Sequence, residues 1–212
     1  MQEIVIGSTP LLAAFIISVI RYRRLKPATL RLFPWLLGFT FCIQTAGYYY
    51  SLLLQKSNHF LFNIYTLVAY VLYFYFLRRI LDRQRLRQAA LAMGLLFLAV
   101  YAYEMLWAGS FFVYNTFTVN IGDFLMLAGC LIYLATLLTA EQTINCFKLP
   151  QFWICTGIMF SSIGIFLYLS FFSYILTNKL DPDGAIYGVI TTVTSVVEYS
   201  FFIIAFLIPA NE

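Results

Sequence analysis

The sequence predicts an all-α integral membrane protein, a single bundle of seven transmembrane helices with its N-terminus outside and its C-terminus in the cytoplasm. Three observations lead to this prediction. Of the 212 residues, 62% are hydrophobic and only 10% are charged, whereas soluble domains are about 25% charged. Seven apolar segments are each long enough to cross a bilayer, and the basic residues gather in alternate loops.

The seven segments follow one another with short connections. A helix needs about 20 apolar residues to cross about 30 Å of hydrocarbon. These segments leave no stretch long enough for a second domain, so we expect residues 1–212 to form one transmembrane domain. The predicted spans are about 4–20, 33–54, 60–80, 89–108, 121–140, 151–177 and 185–208.

The basic residues indicate the number and direction of the spans. The loops at 21–32, 78–88 and 141–150 hold eleven of the 13 Lys and Arg residues, and only Lys56 and Lys179 lie elsewhere. Since basic residues favour the cytoplasmic side, these three loops are expected there. The fourth span is the weakest because Glu104 lies near its end. A six-span chain without it would put both termini on one side, which the charge distribution disfavours.

Glu198 is the most informative ionisable residue. It lies 13 residues into the seventh span, about 20 Å from the outer end at the usual helical rise. Apart from Arg78 and Arg79 at the cytoplasmic end of the third, no Lys or Arg lies inside a span, so Glu198 has no obvious basic partner. Thr191 and Ser195 share its helix face at i, i+4, i+7 spacing, which predicts one polar stripe facing the bundle interior. Ionisable residues inside a membrane are costly and are functional hypotheses by default.

Other spans carry polar stripes in their outer halves, and together the stripes predict a ligand pocket open to the outside with Glu198 at its floor. The alternative is that these groups only hydrogen-bond between helices and hold the bundle together. The candidate ligand-binding residues are Gln44, Tyr48, Asn63, Tyr70, Tyr101, Glu104, Asp123, Thr191, Ser195 and Glu198.

Five arginines follow the third span, with Asp82 among them. Their simplest role is to fix the topology and to contact anionic lipid head groups. The alternative role is to dock a cytoplasmic partner. The five are Arg78, Arg79, Arg83, Arg85 and Arg87.

Several activities lack the residues that they need. The seventh span has no lysine to hold retinal as microbial rhodopsins do, and one histidine, His59, is too few for an intramembrane zinc site. No nucleophile and base can be paired. We therefore expect no enzyme activity, no cofactor, no metal and no nucleic-acid partner. The lipid bilayer is the certain partner, and a homo-oligomer is possible.

Two segments carry a resemblance to a known group. Residues 58–66 (NHFLFNIYT) with Tyr70, and residues 152–158 (FWICTGI) followed by Gly164, resemble small seven-span proteins of Bacteroidetes. The resemblance implies a bacterial inner-membrane protein, similar to sensory membrane regions found beside, or fused to, histidine kinases. Where we would expect an acid in the third span of that group, this chain has Ala69.

Three functions remain open from the sequence. The first is a receptor-like sensor that binds a small or lipid-like ligand and signals through a cytoplasmic or membrane partner. The second is a transporter or channel subunit in which Glu198 and Asp123 carry protons or cations. The absence of an inverted repeat disfavours that function. The third is a membrane assembly or effector subunit, which sequence alone does not separate from the first.

Overall fold

The computed structural model describes residues 2–108, 111–139 and 145–209. Within these ranges the chain has eight α-helices and no strand, so the all-α prediction is confirmed. The helices are α1 Gln2–Ile20, α2 Phe33–Leu54, α3 His59–Ile80, α4 Gln84–Tyr103, α5 Thr116–Leu138, α6 Pro150–Ser170, α7 Phe172–Thr177 and α8 Ala185–Leu207.

Short tight turns extend or connect these helices. A π-helical turn at Glu104–Ala108 continues α4. The predicted sixth span at 151–177 is divided into α6 and the short α7, because Phe171 between them leaves the helical conformation (φ −97°, ψ 5°). The fifth helix starts at Thr116, earlier than the predicted 121, directly after Asn115 at its N-cap position. Short 3₁₀ turns lie at Tyr22–Arg24, Ala28–Leu32 and Cys146–Lys148.

Five helices are long and apolar enough to cross a membrane: α3, α4 with its π-helical turn, α5, α6 and α8. The protein is therefore a multi-pass membrane protein. The segment Thr9–Ile20 of α1 is apolar but shorter than a full span. Helix α2 has 22 residues and no charged side chain, although Gln44 and three consecutive tyrosines make it less apolar than the five.

The seven long helices pack in chain order around a closed ring. Each long helix contacts the next from α1 to α6, α6 packs on α8, and α8 packs on α1 and closes the ring. Helix α3 also contacts α5, so it lies further towards the interior than its neighbours. Because α1 and α2 are members of this ring, they are packed in the same way as the five apolar helices.

Successive helices run in opposite directions, which gives the bundle two distinct ends. The terminal nitrogen of Arg21 after α1 donates to the carbonyl of Leu207 in α8 at 2.9 Å, so these two helices end together. We call this the basic end; it contains the loops at 21–32, 81–83 and 145–149. The opposite end contains the loops at 55–58, 111–115 and 178–184.

The bundle presents apolar side chains outwards and keeps polar ones inside. On α8, Val189 and Val193 are more than half exposed, whereas Glu198 on another face of the helix is buried. Thr40, Thr66 and Ser162 are likewise buried. This arrangement is the one expected where the surroundings are lipid, since polar side chains avoid the hydrocarbon and face the bundle interior.

A layer of four phenylalanines closes the interior near the basic end. Phe33 at the start of α2 lies 5.0 Å from Phe76 of α3 and 5.3 Å from Phe202 of α8, centroid to centroid. Phe206, one turn further along α8, lies 6.4 Å from Phe33. All four side chains are buried. We call Phe33, Phe76, Phe202 and Phe206 the phenylalanine layer.

Candidate functional site

Two carboxyl groups are buried inside the ring. Asp123 is 4% exposed and Glu198 is 8% exposed. Asp123 lies seven residues after the start of α5 and Glu198 thirteen residues after the start of α8. At 1.5 Å per residue they lie about 10 Å and about 20 Å from the opposite end of the bundle. In the described residues neither acid forms an ion pair with a basic side chain.

Glu198 is held by side chains of two other helices. The hydroxyl of Tyr73 on α3 donates to Oε1 of Glu198 at 3.0 Å. Ser161 on α6 lies beside the same carboxyl. Helix α6 can come this close because it has Gly157: a Cβ there would lie 3.1 Å from the backbone oxygen of Glu198.

Asp123 also has a tyrosine of α3 and a serine of α6 beside its carboxyl, and it lies nearer the opposite end of the bundle. The hydroxyl of Tyr70 on α3 donates to Oδ1 of Asp123 at 2.7 Å. Ser162 on α6 lies beside the same carboxyl. Oδ2 of Asp123 is buried and has no hydrogen-bond partner in the described part of the chain. A buried acceptor of this kind normally finds a water molecule or another polar group, so Asp123 retains capacity to bind.

Helix α3 connects both acids. Tyr70 bonds to α5 and Tyr73 bonds to α8, while Tyr65 on the same helix lies near Thr40 of α2. A single helix thus supplies the hydroxyls that bond to two others. We call Tyr70, Tyr73, Asp123, Ser161, Ser162 and Glu198 the interior network.

Asn63, predicted to bind a ligand, fastens the loop at 111–115. Its side-chain nitrogen donates to the carbonyls of Phe111 at 3.0 Å and Val113 at 2.8 Å, and its side-chain oxygen accepts from the backbone N–H of Asn115 at 3.2 Å. The side chain is fully buried. Since its amide already makes these bonds, Asn63 shapes the opposite end of the bundle.

Tyr101 and Glu104 also have partners near that end. The hydroxyl of Tyr101 donates to the backbone oxygen of Asn63 at 3.4 Å. Oε2 of Glu104 accepts from the backbone N–H of Thr118 at 2.7 Å, in the first turn of α5. An acid at this position is stabilising, because a helix N-terminus has unpaired N–H groups and a positive dipole end.

The other four candidate residues lie outside these bonds. Thr191 donates to the carbonyls of Tyr187 and Gly188 within α8. Ser195 and Gln44 are half-buried, and Tyr48 packs edge to face on Tyr49 at 5.5 Å. Of the predicted polar stripe on α8, only Glu198 takes part in the interior network.

Asp181 stabilises the turn that precedes α8. Its carboxylate accepts from the backbone N–H groups of Ile186 at 2.9 Å and Tyr187 at 3.0 Å, and from the hydroxyl of Tyr168 at 3.0 Å. Partial desolvation acts to raise the pKa of Asp181, but these hydrogen bonds outweigh it and hold the pKa below its usual range.

The five arginines of the predicted contact surface all lie at the basic end and are all exposed. Arg78 and Arg79 are in the last turn of α3, Arg83 precedes α4, and Arg85 and Arg87 are in its first turn. The structure thus places them together at the α3–α4 connection.

Three members of the interior network, Tyr73, Ser161 and Ser162, are not among the residues that the sequence predicted to bind a ligand. The i, i+3 spacing of Tyr70 and Tyr73 is the signal that would have found the pairing of α3 with two acids.

Comparison of the chain with family models, with curated proteins and with solved structures gives no significant match.

Proposed function

We propose that this protein is a seven-span receptor-like sensor of a bacterial inner membrane. A small or lipid-like ligand binds at the interior network, and the change is passed to a cytoplasmic or membrane signalling partner at the basic end. No catalytic reaction is part of this proposal. The observation that carries it is that α3 holds both buried acids through Tyr70 and Tyr73 and then ends in Arg78 and Arg79.

This connection makes α3 the natural carrier of a signal. A ligand that displaces a tyrosine hydroxyl from Asp123 or Glu198 removes a tie between α3 and α5 or α8. Helix movements of about 1–2 Å are a common form of such switching. Arg78 lies only five residues after Tyr73, so a small shift or rotation of α3 near its centre also moves the basic end.

The unpaired polar atoms in and near the interior network indicate what kind of ligand would bind there. Oδ2 of Asp123 and, nearer the opposite end, Nδ2 of Asn115 and Oγ1 of Thr118 are buried without a hydrogen-bond partner among the described residues. Two carboxyl groups with no basic partner in the described chain favour a ligand that donates hydrogen bonds or carries positive charge. The phenylalanine layer separates the network from the basic end, which supports entry from the opposite end.

The proposal includes seven membrane crossings with the N-terminus outside. The closed ring that includes α1 and α2, and the eleven of 13 basic residues at one end, support it. Single cysteines at Arg85 and at Asp183, in a chain whose four cysteines are replaced by serine, test it. We expect a membrane-impermeant thiol reagent to label only the second in intact cells. Labelling of the first would overturn the orientation.

Hydrogen exchange of the purified protein in lipid nanodiscs tests whether the interior network is coupled to the basic end. Glu198→Gln weakens the bond from Tyr73, and we expect changed exchange in the loop at 81–83. Ser195→Ala, three residues away on the same helix, is the matched control and should leave that loop unchanged. A change confined to α8 in Glu198→Gln would contradict the proposal. Repeated failure to recover a signalling protein by crosslinking in native membranes would also count against it.

Proton or cation transport is the second candidate, because two buried acids without basic partners are also found in ion pathways. The phenylalanine layer argues against an open path in this conformation. Reconstituted vesicles with a pH-sensitive dye decide between the two. Ion flux that is present in the wild type and lost in Glu198→Gln would favour transport over sensing.

A further inference from the structure

A polar groove lies at the basic end between α3 and α4. Its volume is about 300 Å³, and it is lined by Tyr75, Arg78, Arg79, Gln84, Arg87, Gln88 and Leu91. Three arginines therefore face one small space at the end of two membrane-spanning helices. It is separate from the interior network, which lies inside the ring.

The arginines of the groove keep donors for a ligand. Nε of Arg79 donates to the hydroxyl of Tyr75 at 3.1 Å, and the guanidinium lies 5.2 Å from the centre of that ring. Nε of Arg87 donates to the carbonyl of Leu81. These bonds orient both guanidinium groups and leave their terminal nitrogens available. Within the described ranges, Arg78, Arg79 and Arg87 form no ion pair with a carboxylate.

The start of α4 adds to the positive potential of the groove. Gln84 is the first residue of α4, no described side chain caps that end, and its first turn contains no acid. The first N–H groups of a helix lack partners within the helix and attract anions. Planar guanidinium groups favour phosphate oxygens because they bind them in pairs. The chemistry of the groove is therefore that of a phosphate site.

The surface next to the groove is apolar, which favours a lipid over a free phosphate as the ligand. Leu91 and Leu95 follow each other by one turn on α4 and are 40% and 58% exposed, and Val71 lies one turn before Tyr75 on α3 and is also exposed. This apolar strip runs from the groove towards the membrane interior. An acyl chain can bury its apolar surface against this strip, whereas inorganic phosphate has no apolar surface to bury.

We propose that the groove between α3 and α4 is a specific binding site for the head group of an anionic phospholipid, with the phosphate on Arg78, Arg79 and Arg87 and an acyl chain along Leu91 and Leu95. The site does not depend on what the interior network binds.

Native mass spectrometry of the detergent-solubilised full chain tests this site. The probes are a phosphatidylglycerol, a phosphatidylcholine with the same chains, and inorganic phosphate as a competitor. We compare the wild type with the triple variant Arg78→Gln, Arg79→Gln, Arg87→Gln. The matched control is Arg23→Gln, Arg24→Gln, Arg31→Gln, which removes equal charge from the loop at 21–32 of the basic end.

We expect the wild type to retain phosphatidylglycerol over phosphatidylcholine, and the groove variant to lose affinity by at least about tenfold, since each basic residue near a membrane adds about fivefold. The control should keep most of its affinity, and millimolar phosphate should not displace the lipid. Arg78→Gln alone, which removes a side chain without a hydrogen bond among the described residues, should lose about fivefold even if the triple variant folds poorly.

Three results would overturn the proposal. Equal losses in the groove variant and the control would show that only overall charge matters. Equal retention of the two lipids would remove the role of the head-group charge. Displacement of phosphatidylglycerol by inorganic phosphate would identify a free-anion site instead of a lipid site.

Discussion

Tyr73 on α3 donates a hydrogen bond of 3.0 Å to Glu198 on α8, although these helices are not neighbours in the ring. The bond therefore crosses the bundle interior. The carboxyl of Glu198 can accept this bond whether it is deprotonated or neutral. The contact therefore holds α3 and α8 at a fixed distance in either state. Any ligand that competes for Glu198 must also change that distance.

The first prediction concerns the strength of this cross-bundle bond. A double-mutant cycle with Tyr73→Phe and Glu198→Gln should give a coupling free energy of about 1 kcal/mol, the upper half of the range for hydrogen bonds inside membrane bundles. Unfolding in mixed lipid–detergent micelles by SDS measures it. The control is Tyr49→Phe, which changes a tyrosine that is more than half exposed. Its coupling free energy with Glu198→Gln should be too small to measure. Full additivity of Tyr73→Phe and Glu198→Gln would show that the bond is not formed in the membrane.

The second prediction concerns the loop at 111–115. Asn63→Ala removes three hydrogen bonds to that loop from a fully buried position and leaves their partners unpaired. We expect it to lower the free energy of unfolding by about 2–3 kcal/mol. The loop should also become sensitive to protease.

The control for Asn63 is Asn58→Ala, which loses one bond, to the carbonyl of Gly47, from a half-buried position. It should cost less than about 1 kcal/mol. If both variants lost the same stability, the anchoring role of Asn63 would be wrong.

The third prediction is a pH dependence at the opposite end. The pKa of Asp181 is lower in the folded chain than its ordinary value of 3.8. A depressed pKa means that the stabilisation is complete above the unfolded value and is lost as the pH falls through the folded value. Amide exchange of Ile186 and Tyr187 should therefore become less protected below about pH 4, after correction for the intrinsic rate.

Asp181→Asn is the companion variant for this pH experiment. It should show the weaker protection already at pH 6 and no further specific loss on acidification, because it has no carboxylate to titrate. Asp183→Asn, two residues away in the same turn, should behave as the wild type. Unchanged protection in Asp181→Asn at pH 6 would remove Asp181 from this role.

The fourth prediction concerns the phenylalanine layer. Phe33→Ala removes the ring that contacts Phe76, Phe202 and Phe206, and we expect it to cost about 3–5 kcal/mol of stability. If the layer seals the interior, vesicles containing this variant should also leak protons faster than the wild type. Phe160→Ala, at a half-exposed ring, is the control for both measurements. An unchanged proton leak in a folded Phe33→Ala protein would show that the seal lies elsewhere.

Composition and span length predicted the helical class and the approximate positions of all seven long helices, because lipid forces the backbone into helices of a known length. The break at Phe171 and the early start of α5 were not predicted. Both depend on local contacts, such as the bond from the Thr118 N–H to Glu104. Hydropathy contains no information about such contacts.

Glu198 and Asp123 were predicted as interior acids because charge in an apolar segment is costly wherever it lies. Their partners were not predictable to the same degree. Thr191 and Ser195 share a helix face with Glu198 but bond locally or not at all in the described contacts, since a hydroxyl satisfies itself on the preceding turn. Tyr73 and Ser161 reach Glu198 only because three helices converge there. That convergence is a property of the ring order and not of any one segment.

The hydrogen bond between Arg21 and Leu207 has a practical consequence for protein engineering. A domain fused after Leu207 would emerge beside the first turn of chain that follows α1, next to the arginines of the basic end. The start of α1 lies at the other face of the bundle, about 29 Å away along a 19-residue helix. A linker that joins the end of α8 to the start of α1 would therefore have to run the length of the bundle, whereas a domain fused after Leu207 needs almost none.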